Sequence, residues 1–358
     1  MTNNYLLQIS DLSVRFPASS GARSSGEVHA VNGVNLDLKA GEVLGIVGES
    51  GSGKSTLASA IMNLVPSPGK VTGGKIVFQG QEIHPSAANR HAVPTGIRMI
   101  FQDPMSSLDP YFTVESQLVE AIRAASPGRV SRKEAVRIGS EMLTRVGLDP
   151  ETVLKRYSFE LSGGQQQRIM IALSLLSRPA LLIADEPTTA LDVTIQDQIL
   201  SLIRKLNRET GMAVLFVTHN LGIVADLCQR VIVMYGGEIM ESASCEALFA
   251  RPLHPYTQGL LRSLPKTEPY IPGLSRKKLD SIGGPALDMA NLPKGCIFAD
   301  RCSLCTEKCK AEKPELKSYS EGHFCRCHLA AESDFAGLSD TVCDLEDQSA
   351  MEGGAGNE

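Results

Sequence analysis

Eight residues constrain this chain more than any others: Gly48-Glu49-Ser50-Gly51-Ser52-Gly53-Lys54-Ser55, followed by Thr56. They read G-x-x-x-x-G-K-[ST], a pattern with a physical purpose. Three glycines let the backbone curl until successive N–H groups point inward at a polyphosphate. The loop then opens a helix whose free N–H groups and positive dipole end face the same anion. Lys54 is placed to reach the β- and γ-phosphates, and the Ser55 hydroxyl to ligate Mg²⁺. The flanks agree. Val43-Leu44-Gly45-Ile46-Val47 is a short apolar run suited to a buried strand, and Leu57 to Leu64 is helix-compatible. A Gly/Ser-rich surface turn lacks both flanks, so the stretch is read as a nucleotide site.

The remaining chemistry collects at strand ends. Pro179 to Glu186 is an apolar strand finishing in two acids. Asp185 is placed to hold Mg²⁺ and Glu186 to orient and deprotonate an attacking water. Ile97 to Pro104 is a strand stopped by proline, with Gln102 at its end where it can meet a metal-bound water. Ala213 to His219 is a further buried strand, and its terminal histidine can link a γ-phosphate to that water. Leu161-Ser162-Gly163-Gly164-Gln165 offers a hydroxyl and bare glycine N–H groups at a helix start, which suits a second anion contact. Phe16, ahead of the phosphate loop, is placed to stack on adenine.

The expected elements are two early strands, 28–31 and 34–38, after a first strand over 6–16. A hairpin turning at Gln79-Gly80 and a last strand over 230–234 complete the β part. Between Thr113 and Gly147 the period becomes helical. Ser131-Arg132-Lys133-Glu134 reads as a capping box, with Ala135, Ile138, Met142, Leu143 and Val146 as the apolar stripe.

The net charge is −5, yet eight acids and no Lys or Arg fall in 331–358, so the rest of the chain carries about +3. That tail is expected to be disordered, and no basic patch recommends nucleic acid as a partner. The start shows no basic region followed by a long apolar one, and no apolar run approaches the ~20 residues of a spanning helix. A cytoplasmic protein is expected, with any membrane role supplied by a partner. Six of the nine cysteines, Cys296, Cys302, Cys305, Cys309, Cys325 and Cys327, lie within 295–328. In a reducing compartment such spacing points to metal ligation before disulfides. An iron–sulfur cluster and a Cys₄ or Cys₃His zinc site, with His323 and His328 as candidate nitrogens, both fit it.

Taken together, residues from about Leu7 to about His328 resemble the ATP-binding subunit of ABC transporters. The phosphate loop, Gln102, the Leu161–Gln165 signature, Asp185-Glu186, Asp192 and His219 occur in that family's order. Three stretches resemble the dipeptide/oligopeptide importer branch more narrowly: 101–110, 191–196 and 254–261. The resemblance implies an α/β fold: an ABC-type P-loop ATPase domain over 1–250 with a RecA-like core, an antiparallel β subdomain and a helical subdomain at about 104–176. A cysteine-rich C-terminal extension over 251–330 would follow.

It also implies roles. ATP would bind Phe16, Gly48, Ser50, Gly51, Gly53, Lys54, Ser55 and Thr56, with Mg²⁺ held through Ser55, Gln102 and Asp185. Glu186, His219 and Gln102 would be catalytic. In a head-to-tail dimer with a second ATPase subunit, a copy or a homologue, Ser162, Gly163, Gly164 and Gln165 would contact the partner's nucleotide, with Asp192 in the interface loop. Two membrane-spanning permease subunits, and indirectly a substrate-binding protein, would complete a peripheral assembly on the cytoplasmic face of the inner membrane. Its cargo would be di- or oligopeptides, or else nickel, opines, antimicrobial peptides or oligosaccharides. A [4Fe–4S] cluster on Cys296, Cys302, Cys309 and Cys327 is implied, while Cys305 and Cys325 depart from the branch pattern. A soluble ABC-type ATPase acting in translation or DNA repair is the reading from another class; one phosphate loop and a short insertion disfavour it.

Overall fold

The computed structural model describes residues 5–18, 26–83, 93–102, 107–126, 128–189, 191–264 and 282–330. Its twelve described strands form two sheets. The smaller is antiparallel, in the order β2-β1-β4-β5, from β1 (Tyr5–Pro17), β2 (Glu27–Lys39), β4 (Lys70–Phe78) and β5 (Gln81–Ile83). Its hairpin turns where expected: Gln79 at φ 50° and Gly80 at φ 77° form the tight connection between Phe78 and Gln81. The two expected early strands are one strand, β2. The apolar phase slips around Gly33 (φ 57°), and register shifts along β1 absorb the slip without ending the ladder.

The larger sheet has the order β11-β12-β10-β9-β3-β8-β7-β6. At its centre β3 (Val43–Val47) pairs in parallel with β9 (Arg230–Tyr235) and β8 (Ala213–Thr218), and β7 (Leu181–Asp185) and β6 (Ile97–Ile100) continue the parallel set. All five residues of β3 are buried, because both faces are covered. Leu44 and Ile46 face the core shared with the small sheet and α1 (Lys54–Ile61), while Val43 and Val47 join the other core. That second core holds Leu118 of α2 (Val114–Ala125), Leu143 of α3 (Arg132–Arg145), Val153 of α4 (Pro150–Val153), Ile169 of α5 (Gly163–Leu175) and Ile203 of α6 (Val193–Thr210). Gly45 is required by close packing: a Cβ there would lie 2.9 Å from Val224 of α7 (Leu221–Leu227).

Two further sequence expectations change here. Only half of the capping box forms, since Ser131 accepts from the Glu134 amide while the Glu134 carboxylate turns to Arg137. The exposed guanidinium one turn on out-competes a single amide. The stripe on α3 buries Ala135, Gly139 and Leu143, with Ile138 and Met142 half-buried.

The second change concerns the sheet edge. β9 is not the last strand, because β10 (Glu238–Ser244) returns antiparallel beside it. The C-terminal segment then adds β12 (His323–Cys325) and β11 (Lys317–Ser320) to the same sheet. Glu241 explains the join. Fully buried, its carboxylate accepts from the Leu253 amide at 2.7 Å, the His254 amide at 3.0 Å and His323 Nε2 at 2.8 Å. A buried carboxylate needs such donors. The short helices α8 (Cys245–Ala250), α9 (Pro255–Arg262) and α10 (Glu307–Ala311) lie in this half of the chain. The acidic tail, 331–358, lies outside the described residues, as do 103–106.

Candidate nucleotide site

β3 delivers the loop to the centre of the C-terminal edge of the parallel sheet, where anions bind in open α/β folds. Gly48, Gly51 and Gly53 have φ of 153°, 79° and 97°, conformations an L side chain rarely takes. Gly53 precedes α1 as its N-cap, with no side chain capping the helix, so the first amides are free for an anion. Lys54 is buried and folded back, donating to the carbonyls of Gly48 at 2.8 Å and Glu49 at 2.9 Å. Burial lowers its pKa, against the opposing pull of Glu186, Asp185 and Glu49. Ser50 is exposed, and Thr56 is half-buried within α1.

The Ser55 hydroxyl donates to Asp185 Oδ1 at 3.0 Å, joining the loop to the end of β7. Burial raises the Asp185 pKa, and the Ser55 hydrogen bond only partly opposes it. A divalent cation beside these two oxygens would complete the neutralisation.

Glu186 is the hub. Its φ of 47° is unusual for a residue with a side chain, and its amide is tied to the Val217 carbonyl at 2.8 Å. The carboxylate then faces three partners. Oε1 lies 3.0 Å from His219 Nδ1, and Oε2 accepts from Gln102 Nε2 and Thr189 Oγ1, each at 3.0 Å. Burial pushes its pKa up, but His219 and Thr189 outweigh that and leave it lowered. An ionised carboxylate at the open end of the sheet, beside a histidine, can take a proton from water. The structure thus brings Gln102, Glu186 and His219 together from three strands. Thr189 was missed, because a hydroxyl three residues past an acid has no distinctive spacing.

Other expected residues sit elsewhere. Phe16 packs its ring over Gly69, where an added Cβ would meet it at 2.3 Å, and it borders the core of the small sheet. Ser162 and Gln165 form a reciprocal capping box on α5: the Ser162 hydroxyl accepts from the Gln165 amide at 3.3 Å, and Gln165 Oε1 accepts from the Ser162 amide at 3.0 Å. Ser162 and Gly163 are exposed. Gly164 is buried, and a Cβ on it would come within 2.8 Å of Ile195, so helix packing demands that glycine. Asp192 caps α6, accepting from the Ile195 amide at 2.9 Å. Asp192→Ala is expected to cost about 1 kcal/mol of stability and Asp192→Asn almost nothing; equal melting temperatures for the two variants would refute the capping role.

Among the cysteines, Cys296, Cys302, Cys309 and Cys327 line one cavity with His254, Phe298 and His328. Burial pushes the Cys296 thiol up to about 12 and the Cys302 thiol up to about 11. Cys325 points into a separate small core with Leu253, and His323 is engaged by Glu241. Among the described residues, no three His, Cys, Asp or Glu side chains are spaced to grip a single ion.

The chain is similar to known proteins along most of its length. The ABC transporter family signature matches residues 31–189, and that of the oligopeptide/dipeptide transporter C-terminal region matches 240–309. The dipeptide transport ATP-binding protein DppD of Escherichia coli (strain K12) is 42% identical over 326 residues, 90% of this chain and 96% of that protein. The oligopeptide transport ATP-binding protein OppD of Haemophilus influenzae is 42% identical over 332 residues, 92% of this chain and 98% of that one. Among solved structures, the post-hydrolysis dimer of the ATP-binding cassette MJ0796 with ADP and Pi superposes with a TM-score of 0.57 at 27% identity, covering 67% of this chain and 98% of that one. A phosphate loop bridged to an acidic strand end, with these matches along nearly the whole length, places the chain in the ABC transporter family, as an ATP-hydrolysing subunit carrying the oligopeptide/dipeptide transporter C-terminal region.

Proposed function

We propose that this chain binds and hydrolyses MgATP to drive import of di- or oligopeptides. The Glu186 constellation carries the enzymatic half: one ionised carboxylate held by His219, Gln102 and Thr189 beside a phosphate loop. In that reading the loop amides and Lys54 bind the phosphates, and Ser55 and Asp185 hold Mg²⁺. Glu186 accepts the proton of the attacking water, and His219 and Gln102 orient it. The protein supplies position and charge rather than covalent chemistry.

The peptide cargo rests on the names and C-terminal region of the relatives. Exposed aromatics support membrane-subunit partners: Phe101, Tyr111, Phe112, Tyr157 and Phe159 stand clear of either core, next to Gln102 or on the helical part. Tyr157 and Phe159 stack at 5.5 Å, and the Thr113–Tyr157 bridge sets Tyr157 beside the segment that carries Phe112. Patches of this kind mark protein contacts. No described helix is long and apolar enough to cross a membrane, which suits a peripheral subunit at the cytoplasmic face of the inner membrane. The exposed Ser162 and Gly163 and the dimeric MJ0796 cassette support a head-to-tail ATPase pair. Deleting the chain should abolish uptake of labelled dipeptides while free amino acids still enter. Unchanged dipeptide uptake would refute the peptide cargo.

We also infer that Cys296, Cys302, Cys309 and Cys327 hold a [4Fe–4S] cluster. Four thiols facing one cavity support it. Bound there, the group would staple the extension. Anaerobic purification is expected to yield about four iron and four sulfide per chain, lost in Cys296→Ser with Cys302→Ser. Zinc, or iron retained in that variant, would overturn the assignment.

A further inference from the structure

Glu49, the second residue of the phosphate loop, is held by residues more than 200 positions away. Its amide donates to Tyr256 Oη at 2.8 Å. Its carboxylate receives a two-point grip from Arg301, Nη1 to Oε2 at 2.7 Å and Nη2 to Oε1 at 3.0 Å. Neither partner is free to drift. Tyr256 is fully buried, and rings of Tyr235 and Phe298 lie 4.8 and 5.3 Å from its own. The Arg301 side chain is 8% exposed, against 34% for Glu49. Its Nε also donates to the Gly283 carbonyl at 2.9 Å, and the guanidinium sits 5.7 Å from the centre of the Tyr235 ring.

The charges give this contact a consequence. Glu49 is close enough to act electrostatically on Lys54, so its negative charge would also be felt by a bound polyphosphate. Arg301 cancels it. The arginine belongs to the cysteine-rich segment, between Phe298 and Cys302, both of which line the cysteine cavity.

Resting on the nucleotide-site reading, we propose that Arg301 is a positioning residue for ATP. It neutralises Glu49 at the first turn of the phosphate loop, so the C-terminal extension sets the affinity for the triphosphate. No hydrogen bond or ion pair joins Glu49 to Gln102, Glu186 or His219, so the effect falls on binding and spares the chemical step.

The test uses the full chain, measuring the MgATP Kd by calorimetry and steady-state ATPase kinetics. Arg301→Ala is expected to raise Kd and KM about tenfold, equivalent to about 1.4 kcal/mol, with kcat within about twofold. The penalty should shrink as salt rises. Adding Glu49→Gln removes the exposed charge, and the double variant should return most of the way to wild type. A structural defect would not be rescued in that way. Arg301→Gln, neutral and of similar reach, makes the same comparison should the alanine variant not fold. An unchanged KM in the Arg301 variants, or a double variant as weak as the single, would overturn the proposal. Failure of the wild-type chain to bind ATP would refute the nucleotide reading itself.

Discussion

Glu186→Gln is expected to lower kcat for ATP hydrolysis by about 10³-fold, within the 10²–10⁴ range for loss of a positioned general base. That is about 4 kcal/mol of transition-state stabilisation. MgATP should still bind, since the loop, Lys54 and Asp185 are untouched, and a closed ATP-bound dimer should accumulate. The glutamine cannot reproduce the charge, and its single carbonyl cannot serve His219 on one oxygen and both Gln102 and Thr189 on the other. Single-turnover kinetics beside size-exclusion chromatography with ATP would report both effects. Turnover within threefold of wild type would end the general-base assignment.

Gly48→Ala is expected to disable the site by geometry instead. A Cβ at position 48 would lie 2.1 Å from the Met234 carbonyl oxygen, and one at position 53 would lie 2.2 Å from that of Ala30. Both obstacles are backbone in the flanking strands, so neither can rotate away. Each substitution should cost more than about 3 kcal/mol, a backbone clash added to an unfavourable φ. Stabilisation by MgATP should disappear with it. Gly51 is the internal control. Its φ of 79° is comparable to the 97° of Gly53, yet nothing lies within 4 Å of an added Cβ. Gly51→Ala should therefore lose only the strain, about 1 kcal/mol. Equal melting temperatures for Gly53→Ala and Gly51→Ala would show that the close approach to Ala30 is not what requires glycine at position 53.

These contrasts separate what is local from what is not. The loop was legible because its demands fall on neighbouring residues: glycines where φ is positive, an apolar strand before, a helix after. The buried strands β3, β7 and β8 were legible too, as continuous apolar runs covered on both faces. The slip in β2 was misread as a break, because a bulge and a loop look alike until the partner strand is seen. The box at Ser131 was half right, because spacing does not show which partner Glu134 prefers. Gly164 suggested an anion contact by composition, and the nearness of Ile195 supplies a packing reason for the same residue.

The sequence by itself determined the phosphate loop, the helix it opens and the strands that end in Gln102, Glu186 and His219. Each depends on backbone preference and on hydrophobic pattern over a few residues. Tertiary structure alone decided that Gln102 and His219 meet on the Glu186 carboxylate, and that β12 extends the main sheet beside β10. It also decided that Arg301 grips Glu49 across 252 residues of chain. Such contacts form between segments whose spacing in the chain carries no periodic signal, and only the packing of the cores brings them within hydrogen-bonding distance.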